Sequence, residues 1–164
     1  MSKSSENLQA AFAGESQANR KYLAFSKKAD EEGYPQAAML FRAAAEAETV
    51  HAHAHLKVME GIKSTRENLE AAISGETYEF KEMYPGMIKD ANSDDNKGAE
   101  RSFDNASKVE EIHAALYRNV LENLGKNESV VYYVCQICGN TVGNEAPGSC
   151  LICGAPENKF KKIE

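Results

Sequence analysis

Apolar and small residues recur along most of the chain in steps of three and four, the period of an α-helix with one buried stripe. Leu8, Ala11, Glu15, Ala18, Tyr22, Phe25 and Ala29 trace a first stripe. Phe41, Ala44, Glu48, His51, His55 and Val58 trace a second, and Leu69, Ala72, Glu76, Glu79 and Met83 a third. Phe103, Ala106, Glu110, His113, Tyr117, Val120 and Leu124 trace a fourth. The punctuation agrees. The first helix starts near Ser5 and stops at Gly33, Pro35 opens the second, and Gly61 ends it. Ser64-Thr-Arg-Glu67 reads as a capping box for the third, which Pro85 and Gly86 interrupt or kink before it fades near Asn92. A polar turn with Asp94 or Asp95 as cap leads into the fourth helix, which Gly125 stops. The pattern predicts an all-α four-helix bundle over residues 1–128. After a short linker, Val130 to Val134 reads as a strand and the remainder of 129–164 as turns.

Five Glu and, besides His55, two His occupy stripe positions that should hold Leu or Val. Burying unpaired carboxylates costs several kcal/mol each, so such a core needs a strong counter-charge. The placement repeats. Glu6-Asn-Leu-Gln-Ala-Ala-Phe-Ala-Gly-Glu15 matches Glu67-Asn-Leu-Glu-Ala-Ala-Ile-Ser-Gly-Glu76, and each is followed by Glu-x-x-His, at Glu48–His51 and at Glu110–His113. A lone Glu on one helix and Glu-x-x-His on the next, present twice, is the side-chain set of a two-metal carboxylate cage. Carboxylate-rich ligation favours iron or manganese. One Glu-x-x-His on a solvated helix face would mean little; two copies on apolar stripes, each with a partner Glu, carry the reading. Glu79 fills the slot that is Ala18 in the first repeat, so the cage is not two-fold symmetric. His53 falls on a different face, and His55 suits packing better than ligation.

A length of 164 residues suits one bundle and a small appendage. The net charge of −6 argues against nonspecific nucleic-acid binding. No apolar run is long enough to span a membrane and no signal-peptide pattern opens the chain, which points to the cytoplasm. All four cysteines fall in the tail, as Cys135-Gln-Ile-Cys138-Gly and Cys150-Leu-Ile-Cys153-Gly. Paired C-x-x-C in a cytoplasmic chain reads as a tetrahedral thiolate metal site. A tail of this size cannot build a sufficient apolar core, so the metal must hold it together. Spacing alone leaves structural zinc and a single iron both open, zinc being commoner.

These motifs together, with Phe12-Ala-Gly-Glu15, Gly75-Glu76-x-x-Glu79 before Met83-Tyr-Pro85, and Glu110-Glu-Ile-His113, resemble the rubrerythrin family over essentially the whole chain. The resemblance implies a ferritin-like di-iron bundle joined to a rubredoxin-like domain with one iron on four cysteines, tipping the tail from zinc to iron. It implies a peroxidase that reduces hydrogen peroxide to water, with a reductase or rubredoxin as electron donor, in oxidative-stress protection. Glu15, Glu48, Glu76, Glu110 and His113 match the family's metal ligands. Glu79 matches an extra carboxylate, His51 the histidine that exchanges with it, and Tyr22 and Tyr84 nearby tyrosines. A ferroxidase of ferritin type is the rival activity, and a zinc-ribbon module on a structural bundle a third. A built-in electron carrier favours the first.

A ferritin-like cage runs the second and third helices parallel, so their joined ends lie at opposite ends of the bundle. His51 to Gly61 is about 15 Å of helix and Thr65 to Glu76 about 16 Å, so a connection between them must bridge roughly 30 Å. Only Ile62, Lys63 and Ser64 lie between, reaching about 14 Å. One chain is therefore expected not to close the cage alone. The expectation is a homodimer swapped between helices two and three, each site drawing ligands from both chains.

Overall fold

The structure, a computed structural model, describes residues 2–164; Met1, the first residue of the predicted bundle segment, lies outside them. The helices are α1 (Lys3–Glu31), α2 (Pro35–Val58), α3 (Thr65–Tyr78), α4 (Tyr84–Ser93) and α5 (Lys97–Glu122). The strands are β1 (Tyr132–Cys135), β2 (Thr141–Gly143) and β3 (Phe160–Lys162). The third predicted helix is thus α3 and α4 joined by a π-helical turn, Glu79–Met83, and the fourth is α5. The fold is mostly helical with a small four-cysteine strand-and-turn domain at its end. The chain divides into two compact units between Lys63 and Ser64.

The first unit is a hairpin of α1 and α2. Gly33, with φ of 81°, turns the chain, and Tyr34 N–H closes back on Ala29 O. Small side chains line the helix contact: Ser26 and Ala29 from α1, Ala38, Ala45 and Ala52 from α2, all buried. They let the backbones approach closely. Asn19 crosses the contact, its amide donating to Ala45 O at 2.7 Å and Thr49 Oγ1 at 2.8 Å. The expected apolar stripe is not enclosed: Phe25 is 46% and Val58 66% exposed. Two helices share one face, and the small residues take it.

In the second unit α3 and α4 pack on α5. Ser64 and Glu67 make the expected capping box at the start of α3. The π turn has a cause in Pro85. In a regular helix its ring would clash with the carbonyl four residues back and leave it without a donor. One widened turn relieves this, with Tyr84 N–H donating to Glu79 O five residues back. The cap of α5 is Asn96, whose side chain accepts from Ala99 N–H at 3.0 Å, rather than Asp94 or Asp95. Those two residues are used to close α4: Asp94 ends the helix and Asp95 turns left-handed at φ 53°, so that Asn96 N–H reaches Ala91 O.

The tail forms a three-stranded antiparallel sheet in the order β2-β1-β3, pairing Tyr133 with Val142 and Val134 with Lys161. The first strand begins two residues later than its sequence suggests, and β2 and β3, of three residues each, were too short for alternation to reveal. Strand β2 lies against α5. Cys135, Cys150 and Ala155 are the tail's buried centre, with Ile152 and Phe160 packed on it.

Candidate metal centres

The repeated motif folds into two half-sites of the same composition. In the first unit, ligand atoms of Glu15, Glu48 and His51 lie within 4.8 Å of one another. In the second, Glu76, Glu110 and His113 do the same. Each Glu-x-x-His pair sits on adjacent turns of one helix, so the ring meets the carboxylate. Nδ1 of His51 is 2.9 Å from Glu48 Oε2, and Nδ1 of His113 is 2.7 Å from Glu110 Oε2 and 3.8 Å from Glu76 Oε1.

The second half-site is the more crowded. Burial, then Glu110, then Glu79 push the Glu76 carboxyl up to about 7. Burial and Glu110 also raise Glu79, against the lowering effect of His113. Tyr84 is raised by burial first and then by the charges of Glu79, Glu110 and Glu76; its ring lies 6.3 Å from that of Phe103. Acids held this close resist joint ionisation unless a cation joins them. Glu79 stands on the π turn, three residues after Glu76. Tyr22 lies in an aromatic group of the first unit, 6.3 Å from Phe25 and 6.2 Å from Phe41 between ring centres.

The side chains fit metal ions. Thr141 Oγ1, on β2, is 2.9 Å from His113 Nε2 and 3.2 Å from Gly139 O, which can only accept. With the hydroxyl donating to Gly139 O, an oxygen lone pair is free to accept from the ring, the arrangement in which Nε2 carries the hydrogen. In a neutral imidazole Nδ1 is then bare, with a carboxylate oxygen 2.7 Å away. Two acceptors at that separation need a proton or a metal cation between or beside them, and a bare Nδ1 beside two carboxylates is a set that a metal ion fits.

The four cysteines are all free thiols. Cys135 and Cys153 sulfurs are 3.7 Å apart, and Cys138 and Cys150 sulfurs 3.6 Å. A tetrahedral metal with bonds of about 2.3 Å sets sulfurs about 3.8 Å apart, so the spacing fits one ion. Two matching turns hold them, Gly139 N–H bonding Cys135 O and Gly154 N–H bonding Cys150 O, each at 2.9 Å. Both glycines have positive φ, 85° and 74°, which side chains disfavour. Burial opposes the Cys150 thiolate, but the N–H groups of Cys153 and Ile152 and the Asn140 amide outweigh it and hold that thiol at about 6. Burial pushes the Cys138 thiol up. Asn140 is 2% exposed and points its amide at Cys150 Sγ, 3.6 Å away. Thr141 and Asn140 were not foreseen in the sequence; neither residue type marks a metal site.

The family model "Rubrerythrin" matches residues 6–121, and "Rubrerythrin, rubredoxin-like domain" matches residues 133–161. Rubrerythrin-2 of Clostridium acetobutylicum is 33% identical over 171 residues, covering 94% of this chain and 93% of its own. Nigerythrin of Nitratidesulfovibrio vulgaris is 34% identical over 169 residues, covering 94% and 84%. A solved structure of nigerythrin in its fully reduced, all-ferrous state matches with a TM-score of 0.59 at 33% identity, covering 99% of this chain and 88% of that one. The chain belongs to the rubrerythrin family and carries that family's rubredoxin-like domain.

Proposed function

We propose that this member of the rubrerythrin family is a cytoplasmic non-haem peroxidase that reduces hydrogen peroxide to water at a di-iron site, with electrons passed through an iron held by the tail cysteines. The observation that carries the reading is the pair of Glu-Glu-His half-sites in one chain with a four-sulfur site. The tail domain, residues 129–164, serves as the electron carrier for the bundle segment, residues 1–128. Among the described residues no helix is long and apolar enough to cross a membrane.

Glu15, Glu48 and His51 would hold one side of the metal pair, and Glu76, Glu110 and His113 the other, with Glu79 as an additional carboxylate. A bound iron pair would supply two electrons and a positive clamp on the peroxide oxygens. The reaction also consumes two protons, and these are the protein's task. Tyr84 keeps its phenolic proton because burial, the largest cause of its raised pKa, opposes the phenolate. Its Oη would be a proton donor to the site, within the field of Glu79. The His51 ring is held by one contact, to Glu48, and its side chain is 57% exposed, so it can turn toward or away from a metal in exchange with Glu79. The redox partners are a reductase or rubredoxin upstream and peroxide downstream.

The test is anaerobic peroxide turnover by full-length protein loaded with iron. Glu110→Ala is expected to lose bundle metal and turnover together. Cys150→Ser is expected to lose turnover with an external donor while a chemically reduced bundle still undergoes one oxidation by peroxide. Turnover by Cys150→Ser at the wild-type rate overturns the relay. Faster consumption of ferrous iron with oxygen than of peroxide would favour the ferroxidase reading.

A further inference from the structure

The two histidines are held differently. Among the described residues, His51 Nε2 has no hydrogen-bond partner, whereas His113 Nε2 meets Thr141 Oγ1 at 2.9 Å. Thr141 belongs to β2, a strand of the cysteine domain, and its hydroxyl is anchored in turn on Gly139 O, next to Cys138. The contact joins residues 28 apart in one chain, within one compact unit. With the hydroxyl proton on Gly139 O, it favours a hydrogen on Nε2 of His113 and leaves Nδ1, which faces Glu110 and Glu76, free to bind a metal.

We propose that Thr141 is a positioning residue for His113: the tail domain of the same chain selects the imidazole tautomer that makes Nδ1 a metal ligand. One half-site is thereby rigid and tail-dependent, while the other, at His51, is left mobile. This rests on the metal-binding reading of Glu76, Glu110 and His113. A hydrogen bond to the far nitrogen of a ligand histidine orients the ring and raises its basicity, and its loss typically weakens metal binding about 10–100-fold. The asymmetry of the half-sites then has two sources, Glu79 on the π turn and Thr141 on the tail.

The experiment uses full-length protein with the tail metal in place and the bundle metals removed, titrated with cobalt(II). Thr141→Val keeps the shape of the side chain but cannot accept from Nε2–H. It is expected to bind cobalt about 10-fold or more weakly, with Thr141→Ser restoring affinity. The tail's own metal absorption band reports that the domain remains folded. In the zinc-loaded protein, nitrogen-15 spectra are expected to show a slowly exchanging Nε2–H on His113 that is lost in Thr141→Val. Unchanged affinity and an unchanged Nε2–H signal in Thr141→Val, with His113→Ala still impairing binding, overturn the role of Thr141 and leave the metal reading standing. Wild-type cobalt affinity in His113→Ala overturns both.

Discussion

Glu76 concentrates the electrostatic problem of the site. Its carboxyl titrates at about 7, against 4.5 for the free side chain, because of burial first and then Glu110 and Glu79. Between those values the native state binds more protons than the unfolded one. Stability of the metal-free protein should therefore fall as pH rises from about 4.5 to 7 through this group. Melting of metal-free protein is expected at a lower temperature at pH 7.5 than at pH 5.5, with the slope reduced in Glu76→Gln. A slope unaffected by that substitution would show that Glu76 is not the group responsible. Metal binding should have the opposite dependence, since its ligands must be deprotonated. Asn140 offers a second test at this scale. With iron on the four thiolates, the ferrous state would carry one more negative charge than the ferric, so the Asn140 amide donating to Cys150 Sγ would favour the ferrous state, and losing it should lower the potential. A hydrogen bond of roughly 0.5–1.5 kcal/mol corresponds to roughly 20–65 mV for one electron. Asn140→Ala is expected to shift the tail's redox midpoint down by that amount, read by spectroelectrochemistry. The chemistry-bearing residues were legible because Glu, His and Cys are out of place on an apolar stripe or stand in a spaced motif. Thr141 and Asn140 were not, because a Thr or Asn acquires its role only from what the fold brings beside it.

At the scale of elements, most helix boundaries follow from local chemistry. Gly33, Pro35, the Ser64 capping box and Pro85 each act within a turn of themselves, which is why the sequence reports them. The π turn is only half legible: Pro85 announces a disturbance, but whether the helix breaks, bends or widens depends on packing against α5. The end of α2 is less regular than its neighbours. Glu60 N–H bonds Lys57 O and Gly61 N–H bonds Leu56 O, a Schellman closure in which Glu60 takes the left-handed position at φ 55°. Glycine is the usual residue there, and at the comparable place after α1 it is Gly33. A side chain in this conformation costs about 1 kcal/mol, partly offset by the greater unfolded-state freedom of glycine. Glu60→Gly is expected to raise unfolding free energy by up to about 1 kcal/mol in denaturant titration. A loss of stability would mean that the Glu60 side chain contributes more than its backbone strain removes.

The whole molecule turns on that same closure. Because Met59 to Gly61 fold back onto the end of α2, only the chain from Gly61 to Thr65 is left to span, about 14 Å at full extension. The helical arms it must join are together longer, about 10 Å from His51 to Val58 plus about 16 Å from Thr65 to Glu76. A parallel arrangement of α2 and α3 with both ligand sets at one level cannot be closed by so short a link. The boundary between the compact units falls in this link, and each unit carries one complete Glu-Glu-His half-site. We propose that a swapped homodimer resolves the mismatch, in which each metal pair would take Glu15, Glu48 and His51 from one protomer and Glu76, Glu110 and His113 from its partner. It would also cover the stripe that leaves Phe25 and Val58 exposed in one chain. Complementation distinguishes the arrangements. Glu48→Ala and Glu110→Ala are each expected to be inactive alone. Co-expressed, they form mixed dimers, and in a swapped dimer one site combines both lesions while the other has none. Roughly a quarter of wild-type sites should then be recovered, for random pairing of chains, read as both peroxide turnover and bundle metal content. If each chain closes its own cage, every site in the mixture carries a lesion and nothing is recovered. A mixture as inactive as its parents, in dimers shown by differential tagging to contain both chains, would reject the swap.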